Sequence, residues 1–287
     1  MTAVYRKEMR SCFTSMTGAV AVAVMLFVTG LMFRYYNLYY GLLTLHYAVS
    51  NSVLIFYIVV PVLSMRVFAE ERRNRTDQLL LTSPTGITGI VMGKYLALVT
   101  VFAIPVIVMC FFPLIMTRFG QETLKWDYVC ILAFFVMGCA YLSVGMFISS
   151  CTENSIIAAV LCILFVFMTQ MMSGIFTIIS TGTFQSLLFL LALAVLCGLL
   201  MFFMTHSMLT SSFTAALLAF ICVLAYYFRP SWFSGRTESV LRILDFATHF
   251  EDFAGGSFSV VNLLFFVSYI AAGILLTAQS LLKRRWS

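Results

Sequence analysis

Few side chains in this sequence could do chemistry, and they fall in a handful of places. Glu70 and Glu71 open a charged run, Glu70-Glu71-Arg72-Arg73-Asn74-Arg75, while the histidines stand far away at positions 46, 206 and 249. A glutamate pair working with histidines could activate a water for peptide hydrolysis. Phosphate chemistry would need a glycine-rich loop, and Gly89 to Tyr95 comes nearest to one. There the glycine required ahead of Gly93 is Thr88, and the residue after Lys94 is Tyr95 where a Walker loop has Ser or Thr. No strand precedes it. The chain therefore has no Walker site, and any ATP that drives it must bind another subunit. Gly89 and Gly93 read instead as small residues for close helix packing. The eight cysteines, at 12, 110, 130, 139, 151, 162, 197 and 222, lie mostly in apolar runs and form no C-x-x-C pair. Neither a disulfide framework nor a metal site is indicated, and they read as packing residues.

The elements that must position these groups are membrane helices. The chain of 287 residues is 62% hydrophobic and only 10% charged, against roughly 25% charged in soluble domains. Its apolar runs are continuous rather than alternating, which argues against a β-barrel and for an all-α polytopic bundle. Residues 1–15 form a short basic amphipathic segment suited to the membrane interface and carry no clear cleavage site. Spans are expected at about 16–33, 48–65, 90–117, 128–149 and 155–176. Pro105 and Pro113 predict a kink or break in the third. Two more runs, 184–205 and 208–228, read as a membrane hairpin turning at His206-Ser207, and a last span covers 260–282. The total is eight. Tyr35, Tyr36, Tyr39, Tyr40 and Tyr47 form an aromatic belt after the first span.

Arg66 to Lys94 is the long charge-dense segment of the first two thirds, and its excess of Arg and Lys places it on the cytoplasmic side. Thr76 to Ser83 reads as a short amphipathic helix with Thr76 as N-cap, Asp77 in its first turn and Leu79-Leu80-Leu81 as an apolar stripe. Ser83-Pro84 then marks a stop and a restart. The spacing of Glu71 and Arg75 also allows an i,i+4 ion pair on a solvated face. Counted over the eight-span topology, the cytoplasmic segments hold 11 of the 17 Lys and Arg residues, and both termini fall inside.

The run F-A-E-E-R-R-x-x-T-x-x-L-L-L-T-S-P at 68–84, followed by G-K-Y-L-A at 93–97, resembles the ABC-2 type transporter permeases, in particular their gliding-motility-like branch. The resemblance implies a coupling helix at this place, inserted into a separate ATP-binding subunit. It assigns that contact to Glu70, Glu71, Arg72, Arg73, Thr76, Asp77, Gln78, Leu79 and Leu80. The run F-A-T-H-F-E-D-F-A-x-G at 246–256 resembles the same branch, whose outer loop sits above the translocation path. It marks Phe246, His249, Phe250, Glu251 and Phe253, within the polar segment 229–257, as an extracytoplasmic gate. The family's minimal pattern has six spans, so 184–228 is an addition.

The function implied is the membrane subunit of an exporter in a bacterial plasma membrane, single-domain and without a catalytic site of its own. It would pair with a second permease, identical or related, and with ATP-binding subunits that hold ATP and Mg. No nucleic-acid partner is indicated. The substrate is not legible. One alternative is an intramembrane protease of the CAAX type, since Glu70 to Arg75 fits E-E-x-x-x-R and Phe202 to His206 fits F-x-x-x-H. Its third motif is missing, because neither His46 nor His249 has Asn or Asp four residues on. A membrane scaffold or immunity protein that transports nothing is a further alternative.

Overall fold

The structure is a computed structural model that describes residues 2–76, 86–120, 124–178, 244–255 and 259–286. Every regular element among them is helical. In order they are α1 (Thr2–Thr14), α2 (Thr17–Phe33) continuing into a π-helical stretch (Arg34–Tyr39), α3 (His46–Ser52), a 3-10 turn (Val53–Ile55), α4 (Phe56–Ser64) and α5 (Ala69–Arg73). There follow α6 (Ile87–Met109), α7 (Phe111–Thr117), α8 (Leu124–Cys151), α9 (Ser155–Ile178), α10 (Phe246–Ala254) and α11 (Val260–Trp286). Six stretches of described helix are long and apolar enough to cross a membrane: 17–39, 46–73, 87–117, 124–151, 155–172 and 260–283. The expected runs at 184–205 and 208–228 lie outside the described residues.

By its contacts the chain forms two units, Met1–Met168 with Thr248–Ser287, and Thr169–Ala247. In the second, the described residues are the last turns of α9 and residues 244–247. The first unit holds the core. Phe56, Phe102, Phe134 and Tyr141 meet there, with Phe56 stacked on Phe134 at 4.7 Å and tilted against Tyr141 at 5.5 Å. All four are buried. Lipid is as apolar as these rings, so their gain comes from close packing and shape. Among the described residues the most extensive helix contact joins α8 to α11, which run in the same direction: Ser143 Oγ donates to Tyr269 O at 3.3 Å and Ser280 Oγ to Ser150 O at 3.5 Å. Gly273 permits that approach, since a Cβ there would lie 2.9 Å from the Ser143 backbone carbon.

Two of the boundaries that differ from the sequence reading have a local reason, and so has the break that was expected. The first span does not stop at Phe33 but runs on through Tyr39, because neither Gly nor Pro falls between Phe33 and Gly41, which takes φ +69°. Asn37 then folds the following loop back by donating to Leu42 O at 2.7 Å and Thr44 O at 3.1 Å. The fourth span begins at Leu124, so Asp127 is a buried first-turn residue rather than part of an outer loop. Its carboxylate accepts the Leu45 amide at 3.1 Å and suits the positive end of α8. The expected break in the third span falls at Cys110. Pro113 has no N–H for the Met109 carbonyl, so α6 ends there, whereas Pro105 is absorbed within the helix.

Candidate functional site

The second span does not continue straight into the charged segment. Residues 65–68 form a turn, and Phe68 leaves the helical region at φ −124°. A break of this kind strands carbonyls and amides that a buried chain must satisfy. Two side chains from other helices do so. Ser149 of α8 donates to Met65 O at 3.1 Å and accepts the amides of Phe68 and Ala69 at 3.2 Å each, acting as a cap supplied from outside the helix. Lys94 of α6 donates to Val67 O at 2.8 Å.

Lys94 is also the centre of an ion cluster. Its side chain is wholly buried, and its ammonium lies 2.9 Å from Glu8 Oε1 on α1 and 2.9 Å from Glu71 Oε2 on α5. The contact to Glu8 is a hydrogen bond; that to Glu71 Oε2 is an ion pair outside hydrogen-bond geometry. The Phe68 ring centroid is 4.9 Å away, close enough for a cation–π contact. Lys7 of α1 completes the group, donating to Glu71 Oε1 at 2.9 Å and lying 3.8 Å from Glu8. Burial alone would pull the Lys7 pKa down, but its hydrogen bond to Glu71 and the charges of Glu71 and Glu8 outweigh it and raise it. Two lysines and two glutamates make the cluster formally neutral, which is how buried charge is tolerated at all. It binds α1, the turn before α5 and the start of α6 into one joint, and Tyr5 adds a hydrogen bond to Thr100 at 3.2 Å.

The residues singled out in the charged segment divide by face. Arg72 is buried and reaches toward Thr152 O at 3.5 Å. Glu71 is half-buried in the cluster. Glu70, Arg73 and Thr76 are exposed, and Glu70 sits 4.0 Å from Arg66 in an i,i+4 pair. The i,i+4 pair of Glu71 with Arg75 does not form. α5 ends at Arg73, Arg75 takes φ +56°, and the Glu71 carboxylate turns to the two lysines instead. Asp77, Gln78, Leu79 and Leu80 lie outside the described residues.

At the other end of the first unit, α10 buries Phe250 and Phe253 and exposes Glu251; Phe246, in the second unit, is buried too. His249 packs on Phe265 of α11 at 4.1 Å, and its Nδ1 donates to Asn262 Oδ1 at 2.8 Å. Asn262 in turn donates to Asp252 at 3.2 Å. A glutamate–histidine constellation is therefore not assembled among the described residues. Glu71 lies beside Ser149 and His46 beside Asp127, about 33 Å apart along α8 at 1.5 Å per residue. His206 lies outside the described residues.

Sequence reasoning missed Lys94, Lys7, Glu8 and Ser149. For Lys94 a signal existed: it is a lone cation within a helix that is otherwise apolar from Ile90 to Thr117, and such a charge requires a partner.

The profile of one family, described as ABC-2 family transporter protein, matches residues 33–187, more than half of the chain. The chain belongs to this ABC-2 transporter family. No curated protein and no solved structure matches it. The family and the six apolar helices together make it a multi-pass membrane component of a transporter. The matched region of the ABC-2 protein contains Glu71, Lys94 and Ser149, whereas Lys7 and Glu8 precede it. The joint thus ties the family region to the amino-terminal helix.

Proposed function

We propose that this chain is the membrane-spanning subunit of an ABC-2 exporter of the gliding-motility-like branch, driven by a separate ATP-binding subunit that docks on residues 66–90. In this reading both termini and that segment face the cytoplasm of a bacterial cell. Two permeases, identical or related, pair with two ATP-binding subunits, which hold the ATP and Mg. The outward direction follows from the resemblance.

One observation carries the reading. The exposed face of α5, with Glu70 and Arg73, leads directly into the segment 77–85, while its back is clamped by Lys94 and Ser149 to α6 and α8. A push delivered to the exposed side must move the second and third spans and α1 together. Closure of the ATP-binding subunits around nucleotide would supply it, provided their contact with this face differs between the open and closed states. Leu79 and Leu80 form the apolar part of that contact. Leu79→Asp or Leu80→Asp uncouples ATP hydrolysis from transport and leaves the membrane bundle folded. The check is co-purification of the ATP-binding subunit from solubilised membranes, with ATPase and transport assays on each variant. Wild-type transport by a well-expressed Leu79→Asp protein would overturn the docking assignment.

A further inference from the structure

The first span carries an exposed apolar stripe that ends in a charge. Val20, Phe27, Leu31 and Leu38 recur at helical spacing and are exposed, Phe27 by 67%. Arg34 stands on the same face, three residues after Leu31 and four before Leu38, and is exposed too. Its guanidinium makes no ion pair or hydrogen bond with the described residues. From Thr17, where the span begins, Arg34 is about 26 Å away at 1.5 Å per residue. A hydrocarbon core is about 30 Å thick, and the long arginine side chain covers the difference. The charge therefore sits at headgroup level, at the end of the span away from α1.

The helix changes register at this point. From Arg34 to Tyr39 it is π-helical, and Tyr40 N donates to Tyr35 O at 3.2 Å. That i,i+5 spacing sets Tyr40 over Tyr35, their rings 4.9 Å apart edge to face and their hydroxyls 3.1 Å apart. One hydroxyl donates to the other, so one O–H of the pair remains for an outside acceptor. Tyr39 packs on both rings, and with Leu31 and Arg34 the three tyrosines line a cavity of about 410 Å³.

The donors and the stripe fit one kind of occupant. A guanidinium beside phenolic hydroxyls offers hydrogen bonds to an anion, and its fork matches the two unesterified oxygens of a phosphodiester. A soluble anion has no use for Leu31 and Phe27 below the charge, whereas a phospholipid lays its acyl chains there. We propose that Arg34 and the Tyr35–Tyr40 pair bind the phosphodiester of a phospholipid whose chains run down past Leu31 and Phe27. The inference needs only that the chain spans a membrane and stands apart from the exporter reading.

The test uses the full chain purified in detergent, with native mass spectrometry counting bound lipid. Dioctanoyl phosphatidylglycerol and dioctanoylglycerol, which lacks the phosphate, are titrated side by side. A saturable adduct is expected for the phospholipid, with the diacylglycerol about tenfold weaker. Dioctanoyl phosphatidylcholine should bind as well as phosphatidylglycerol, because the phosphodiester is shared. Arg34→Gln should weaken both phospholipids about tenfold and leave the diacylglycerol unchanged, and Arg34→Lys, which keeps the charge without the fork, should fall between. Tyr40→Phe, which takes the hydroxyl pair apart, should cost about threefold. Lys125→Gln removes another exposed cation, on the first turn of α8, and should change nothing. A loss in Lys125→Gln as large as that in Arg34→Gln would overturn the site in favour of diffuse attraction. Equal binding of phospholipid and diacylglycerol would also overturn it, leaving an apolar stripe open to any hydrocarbon or to a second copy of the chain. Displacement of the lipid by glycerol phosphate at equal concentration would overturn the lipid assignment and identify a soluble phosphate ester.

Discussion

The two ends of the first unit are held by different means. Around Lys94 the contacts are ionic and long-range: Glu8, Glu71 and Lys94 come from three separate helices and share one buried charge. Around Asp127 and His249 the described residues are joined by hydrogen bonds. Asn37 closes its own loop, His249 and Asp252 meet Asn262 a few residues on, and Asp127 accepts the Leu45 amide across a longer distance. A buried ion group fails as a whole if one member is lost, so it fixes three helices as one body. Hydrogen-bonded loops can open one at a time. The lesson is a division of labour: one end is built to move as a unit, the other to rearrange piecewise.

The largest effect is expected from breaking the joint. Lys94→Met leaves Glu8 and Glu71 facing each other in a site made for a cation. The cost is about 3–5 kcal/mol, the usual figure for removing one partner of a buried ion group. Thermal unfolding in detergent and the yield of folded protein measure it. The sharper version is the triple variant Glu8→Gln, Glu71→Gln, Lys94→Met. Replacing a whole buried ion group is often neutral, so its stability should return to near that of the native chain. Transport should not return if the charges fix the register of α1, α5 and α6. A triple variant that transports normally would reduce the cluster to packing.

A smaller effect is expected at the opposite end. Asp127→Leu strands the Leu45 amide in a buried place and costs about 1–3 kcal/mol. The Leu45 amide closes the loop before α3, so loss of this bond should be read there. Hydrogen exchange should quicken over residues 40–47 and stay unchanged around Lys94. Exchange that quickens equally at both ends would erase the distinction drawn above.

The sequence and the structure agree where physics is local. Long apolar runs make spans in any context, and Pro113 breaks the third because a missing N–H acts four residues back. They part where a residue's fate depends on distant chain. Asp127 looks like a loop residue until Leu45, 82 positions earlier, is known to need an acceptor. Glu71 looks paired with Arg75 at helical spacing, yet α5 stops too soon, and its partners stand 64 positions before it and 23 after. No periodicity encodes such a pairing. Only the solitary charge of Lys94 hinted that carboxylates must come to it. Of the residues that the resemblance assigns to the ATP-binding subunit, Glu70, Arg73 and Thr76 are exposed, whereas Glu71 and Arg72 face inward because the turn at 65–68 sets α5 against α8.

The smallest effect is the one that divides the cluster itself. Lys7 is 58% exposed at its side chain, so water and salt screen its bonds to Glu71 and Glu8. Lys7→Gln should cost only about 0.2–1 kcal/mol, since the charge removed is the exposed one and Lys94 stays paired with both carboxylates. The pH dependence has a definite sign. The folded pKa of Lys7 is raised above its ordinary 10.5, so its contribution is fully present below that value and is lost only as pH rises through the folded pKa. The difference in unfolding temperature between the native chain and Lys7→Gln should therefore be flat through the neutral range, shrink with added salt, and vanish only in strong alkali. A cost as large as that of Lys94→Met would mean that the exposed lysine, not the buried one, holds α1 to α5.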